Sequence, residues 1–114
     1  MKDPMKKEAP LHNDCLQLAR WVATTIDPTL PTGRRAHELA IELVEQVALA
    51  LHGYDREESV ENADRAAARL RVVLRLCLEV GLVSDGGLLH TAEQLDRIGR
   101  QIGGWQRHLA EGRG

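Results

Sequence analysis

The chain has 114 residues, 43% hydrophobic but only 3% aromatic, with no phenylalanine and a net charge of −2. That length is one domain, able to bury roughly two-thirds of the surface its unfolded chain would expose. The charge excludes a polybasic nucleic-acid binder, and the Leu-, Val- and Ala-rich composition favours helix over sheet.

Residues 1–10 are polar, contain two prolines, and read as a flexible segment with no signal peptide. Leu11, Cys15, Leu18, Ala19, Val22 and Ile26 then recur on one face of a first helix. Asn13 is a candidate cap, and Asp27-Pro28 ends the helix, because proline disfavours helical backbone in the residue before it. Thr32 is placed to cap a second helix. Its stripe is Ala36, Leu39, Ala40, Leu43, Val44, Val47, Ala50 and Leu51, and Gly53 stops it.

A third helix is predicted from about Glu58 to Val80. Ala63, Ala66, Ala67, Leu70, Val73, Leu74, Cys77 and Leu78 face inward, and Gly81 follows as the stop. A fourth starts at Ser84 or Asp85 and runs to about Ala110, with Leu88, Ala92, Leu95, Ile98, Gly99, Ile102 and Trp105 inward. Residues 111–114 read as a flexible tail. The loops are short, so successive helices lie antiparallel. The expected fold is all-α: one antiparallel up-down four-helix bundle over residues 11–110.

Catalytic signatures are missing. There is no HExxH, P-loop, GxGxxG or GxSxG. The five histidines, at 12, 37, 52, 90 and 108, show no ligand spacing, and no arginine is followed five residues later by histidine, as one helical nuclease class requires. The expectation is a protein that is not an enzyme and takes no metal or cofactor. Cys15 and Cys77 stand far apart on apolar faces and read as reduced core residues. No apolar run spans a membrane, and the chain reads as cytoplasmic.

Charge is unevenly placed. Residues 1–62 carry 7 basic and 11 acidic side chains; residues 63–114 carry 8 and 6, and all 8 basic residues there are arginine. Arginine suits bidentate contact with carboxylate or phosphate better than simple solvation. Opposite the core, the third helix carries Asp64, Arg65, Ala68, Arg69, Arg71, Arg75 and Glu79, interrupted by Val72 and Leu76. Single exposed apolar residues are ordinary. A second apolar ridge rimmed by arginines fits a subunit interface better. In the fourth helix, Gly99, Gly103 and Gly104 fall within six residues, though glycine costs up to about 1 kcal/mol each against alanine. Gly99 and Gly103 share a face and predict close approach by a neighbouring helix, with Trp105 plugging the bundle's end.

Four segments, Pro31-Thr-Gly-Arg-Arg35, Ala68-Arg-Leu-Arg-Val-Val-Leu-Arg-Leu76, Gly81-Leu-Val-Ser84 and Leu95-Asp-Arg-Ile-Gly-Arg-Gln-Ile-Gly-Gly-Trp105, resemble the accessory variability determinant family of diversity-generating retroelements. The resemblance covers roughly residues 12–109, and Ile-Gly-Arg-x-x-Gly-Gly-Trp is its most specific part. It implies a four-helix bundle assembled as a ring-shaped homopentamer. It also implies a non-enzymatic partner of the retroelement's reverse transcriptase, assisting adenine-directed mutagenic copying of a template RNA. RNA or an RNA/DNA hybrid would be a further partner. Family members are commonly basic; this chain is not, which favours enzyme binding over general nucleic-acid affinity. Arg71 and Arg75 match the family's Leu-Arg-x-x-Leu-Arg segment and are the first candidates for partner binding. Arg65, Arg69, Arg100 and Arg107 come next, and Val72 and Leu76 are the candidates for the subunit contact. The related bundle encoded within ribosomal RNA intervening sequences is the alternative, but its Ile-Pro-x-Asn-Ile-Ala-Glu-Gly type motif is absent here.

Overall fold

Proline starts two of the four helices. The computed structural model describes residues 10–113, and within them α1 spans Pro10–Thr25 and α2 spans Pro31–Leu51. A helix's first N–H groups have no partner inside the helix, so proline loses nothing there and brings its φ preset. This displaces both caps expected from the sequence. Asn13 lies inside α1, and Thr32 inside the first turn of α2, where extended Leu30 takes the cap position without a side-chain bond. Pro10 joins the helix and so leaves the expected flexible segment; what was expected of residues 1–9 lies outside the described residues.

The two stops expected from glycine are present. Gly53 and Gly81 sit at φ 85° and 80°, where a Cβ would be strained. After α2, the Gly53 N–H reaches the Ala50 carbonyl (3.1 Å) and the Tyr54 N–H the Leu49 carbonyl (3.0 Å). After α3 (Arg56–Glu79), Gly81 bonds Leu78 (3.1 Å) and Leu82 bonds Cys77 (2.8 Å). Both are the paired closure that satisfies orphaned helix carbonyls. α3 begins two residues before its expected start, and Arg56 Nε donates to the Ala50 carbonyl at 3.0 Å, tying this start to the end of α2. α4 spans Asp85–Arg113, three residues beyond the expected end. Ser84 caps it, its hydroxyl accepting the Gly87 N–H at 3.0 Å.

The helices form one antiparallel up-down bundle, 47 × 22 × 21 Å. Each packs on its sequence neighbours, and α4 closes back on α1; no diagonal pair packs. α2 with α3 is the most extensive pairing, and α1 with α4 the least. Most expected stripe residues are buried, among them Leu18, Leu39, Leu43, Leu70, Ile98 and Ile102. One departs: Gly99 is exposed. Thr91, fully buried, occupies the inner face instead, its hydroxyl bonded to the Leu88 carbonyl at 2.9 Å. No helix among the described residues is long and apolar enough to cross a membrane.

Both cysteines are buried and free. Burial, with Asp14 beside it, pushes the Cys15 thiol from 9.0 up to about 12; burial also raises Cys77. A thiol raised only in the folded state leaves stability intact below pH 9 and lowers it as pH climbs toward 12, because unfolding then releases a proton. The slope is at most about 1.4 kcal/mol per pH unit for each thiol. Urea midpoints should therefore fall more steeply above pH 9 in the natural protein than in Cys15→Ala. Equal slopes would refute the assignment.

Candidate functional site

The outer face of α3 follows from its inner one. Val60, Ala63, Leu70 and Leu74 are almost fully buried, so residues half a turn away must face solvent. Val72 stands there 70% exposed and Leu76 48% exposed. At 100° per residue, Arg69 and Arg75 flank Val72 by about 60° on either side. The helix thus divides the Leu70-Arg-Val-Val-Leu-Arg75 segment, sending both leucines into the core and both arginines to the surface.

The arginines differ in what they hold. Arg71 leans toward α4, where its Nη2 donates to Asp96 Oδ1 at 3.0 Å. Arg75 Nε donates to Glu79 Oε1 at 3.1 Å, and Arg65 Nη2 to Glu61 Oε1 at 2.9 Å, each one turn away along α3. Arg69 and Arg100 are exposed and have no carboxylate within ion-pair distance among the described residues. Arg107 folds back along its own helix: a methyl built on Gly103 or Gly104 would meet its guanidinium at 3.5 or 3.8 Å. The structure therefore places Arg69, Arg71 and Arg75 beside the Val72–Leu76 ridge, whereas Arg65 stands about two turns nearer the start of α3. Arg100 and Arg107 lie apart on α4.

The expectation of close packing at Gly99 and Gly103 needs correction. A methyl at Gly99 has open space around it, and one at Gly103 meets only Arg107. No atom of a neighbouring helix lies within 4 Å of a methyl on either glycine; Gly99 is exposed and Gly103 half-buried. Trp105, by contrast, is 6% exposed and packs in the core as expected.

Two features escaped sequence reasoning. Asp96 lies 25 residues from Arg71, and no local spacing announces such a cross-helix pair. Likewise Asp14 Oδ2 accepts Gln101 Nε2 at 2.7 Å, joining α1 to α4 across 87 residues. The Glu61–Arg65 and Arg75–Glu79 pairs were legible as i,i+4 neighbours.

A cleft of about 370 Å³ opens between the start of α3 and the end of α4, lined by Glu57, Val60, Glu61, Asp64, Arg65, Gln106 and Leu109. It holds no nucleophile–base pair. Among the described residues no group of three or more His, Cys, Asp or Glu side chains could hold a metal ion. Fold and surface together define an all-α four-helix bundle presenting one apolar-centred, arginine-bordered helix face. Comparisons with protein-family models, characterised proteins and solved structures find no match to the chain.

Proposed function

We infer that the chain is a non-enzymatic, cytoplasmic accessory protein of a diversity-generating retroelement, working as a ring-shaped homopentamer that binds the reverse transcriptase and supports mutagenic copying of its template RNA. The observation that carries this reading is the outer face of α3. Its sequence is the segment that resembles the accessory variability determinant family, and its arginines and apolar ridge face solvent on a rigid helix.

A second surface supports assembly. Away from that face, Leu16 and Ala23 on α1 and Ile41 on α2 are exposed, Leu16 at 42% and Ile41 at 55%. Exposed apolar side chains at two different places on the surface suit a head-to-tail contact, the kind that closes into rings.

The test has two arms. Light scattering should give a particle several times the 12.7 kDa chain mass, reduced by Val72→Glu. A double Arg71→Ala, Arg75→Ala variant of unchanged helicity and mass should lose at least tenfold in affinity for the retroelement's reverse transcriptase, since repeated contacts around a ring fail together. Full-strength capture by the double variant would overturn the docking role.

A further inference from the structure

α1 is the least secured of the four helices. It spans 16 residues where the others span 21, 24 and 29, and its pairing with α4 is the smallest in the bundle. Its two ends are held unequally. At the turn end, the His37 ring bonds the Ile26 carbonyl at 2.7 Å, the Thr29 N–H bonds Asp27 Oδ1 at 2.9 Å, and Gly33 packs against the Asp27 carbonyl with no room for a methyl. Toward the Pro10 end, Asp14 ties α1 to α4 through Gln101 at 2.7 Å and, more loosely, Arg97 at 4.0 Å.

Each flank of α1 also encloses a polar atom with nothing to bond. Gln94 Oε1 and His12 Nδ1 are buried and have no hydrogen-bond partner among the described residues. Gln94 lies seven residues before Gln101, so helical phase turns it to the same side of α4, toward α1. His12 belongs to α1 itself. It stands about 200° round the helix from Asp14, on the flank away from α4 and beside α2. A buried polar atom without a partner recovers its hydrogen bonds only when water reaches it, so both groups favour separation of α1 from its neighbours. The other three helices have no such weakness. α2 and α3 share the largest pairing, and Arg56 Nε ties them through the Ala50 carbonyl at 3.0 Å.

We propose that α1 is a hinged lid. It pivots on the Asp27–Leu30 turn and lifts from α2 and α4 as a unit, drawn open by hydration of His12 and Gln94, while α2, α3 and α4 stay packed on one another. Opening bares the inner face of α1 and the side of α4 that carries Gln94 and Gln101.

The two buried, free thiols report on the two halves of the molecule. Cys15 lies on the inner face of α1, next to the Asp14 tie. Cys77 lies on α3 at the clamped end, its Sγ 3.8 Å from the Thr32 carbonyl oxygen. Lifting the lid exposes Cys15 alone, whereas global unfolding exposes both.

The probe is iodoacetamide at about pH 8, just below the ordinary thiol pKa, with each cysteine followed by mass spectrometry of its own peptide. Cys15 should be alkylated at least tenfold faster than Cys77. Urea should accelerate Cys15 weakly and Cys77 steeply, because lid opening exposes less surface than unfolding. Two substitutions separate the events. Gln94→Leu removes an unpartnered atom at similar volume and should slow Cys15 at least threefold. Ala68→Gly, on the exposed face of α3, lowers helix propensity and should speed Cys77 about fivefold while leaving Cys15 unchanged.

Equal rates at the two cysteines, matching urea slopes, a Gln94→Leu rate equal to the natural one, or acceleration of both thiols by Ala68→Gly would each overturn the lid. None of these results bears on the docking role of the α3 face, which is decided by reverse-transcriptase capture.

Discussion

Gly33→Ala should destabilise the protein by about 3 kcal/mol, at the upper end of overpacking costs, and lower its melting temperature by roughly 10–20 °C. Gly33 is buried in the first turn of α2, where the chain returns from α1. A methyl there would enter the van der Waals shell of the Asp27 carbonyl oxygen, with the Asp27 carbonyl carbon at 3.1 Å and Ile26 Cγ2 at 3.3 Å behind it. Backbone cannot rotate aside as a flexible side chain does. The turn is also held from two directions: His37 Nε2 donates to the Ile26 carbonyl at 2.7 Å, and the Thr29 N–H to Asp27 Oδ1 at 2.9 Å. Relief would require breaking one of these. Gly99→Ala supplies the internal contrast. With open space around it, that change should raise stability by up to about 1 kcal/mol through helix propensity. Thermal melts of the two variants should move in opposite directions; a common direction would refute the packing account of Gly33.

Trp105→Ala should cost about 3–5 kcal/mol, the range for deleting a large aromatic side chain from a core. The core has few bulky side chains, since the sequence contains two tryptophans, one tyrosine and no phenylalanine. Trp105 is 6% exposed, while Trp21 is only partly buried and tilts against His90 at a ring-centroid distance of 5.6 Å. Aliphatic neighbours on fixed helices cannot collapse into so large a void. Trp21→Ala should cost no more than about half as much, because water can enter where that ring stood. Chemical denaturation of the two variants checks the order. Equal losses would mean that Trp105 is not the plug of its end of the bundle.

What the sequence disclosed, and what it withheld, divides along a physical line. Helix number, stripe and glycine stops were legible because each depends on neighbours within a turn or two: Gly53 and Gly81 are the residues that tolerate positive φ just where a stripe ends. The caps were misread for an equally local reason. Asn13 and Thr32 are good cap residues, but Pro10 and Pro31 upstream of them start the helices first. Gly99 was misread for a longer-range one. Its spacing from Gly103 is the same whether that stripe meets another helix or open water, and only the bundle's arrangement decides. The site divides in the same way. The exposure of Arg71, Val72 and Arg75 follows from helical phase, whereas Asp96 opposite Arg71 depends on the register between α3 and α4, which no single helix encodes.

The unequal packing of the four helix pairs has a kinetic meaning. α2 and α3 are joined by a short turn and share the largest contact, so they form a hairpin whose closure spans few residues and costs little loop entropy. Contact between α1 and α4 brings together the two ends of the chain and rewards that long closure with the smallest surface. Folding should begin in the central hairpin and finish at this seam, and partial opening should retrace the route. Amide protons of α2 and α3 would then exchange with solvent only through global unfolding, while those of α1 escape through a cheaper opening that leaves the arginine-bearing face of α3 intact.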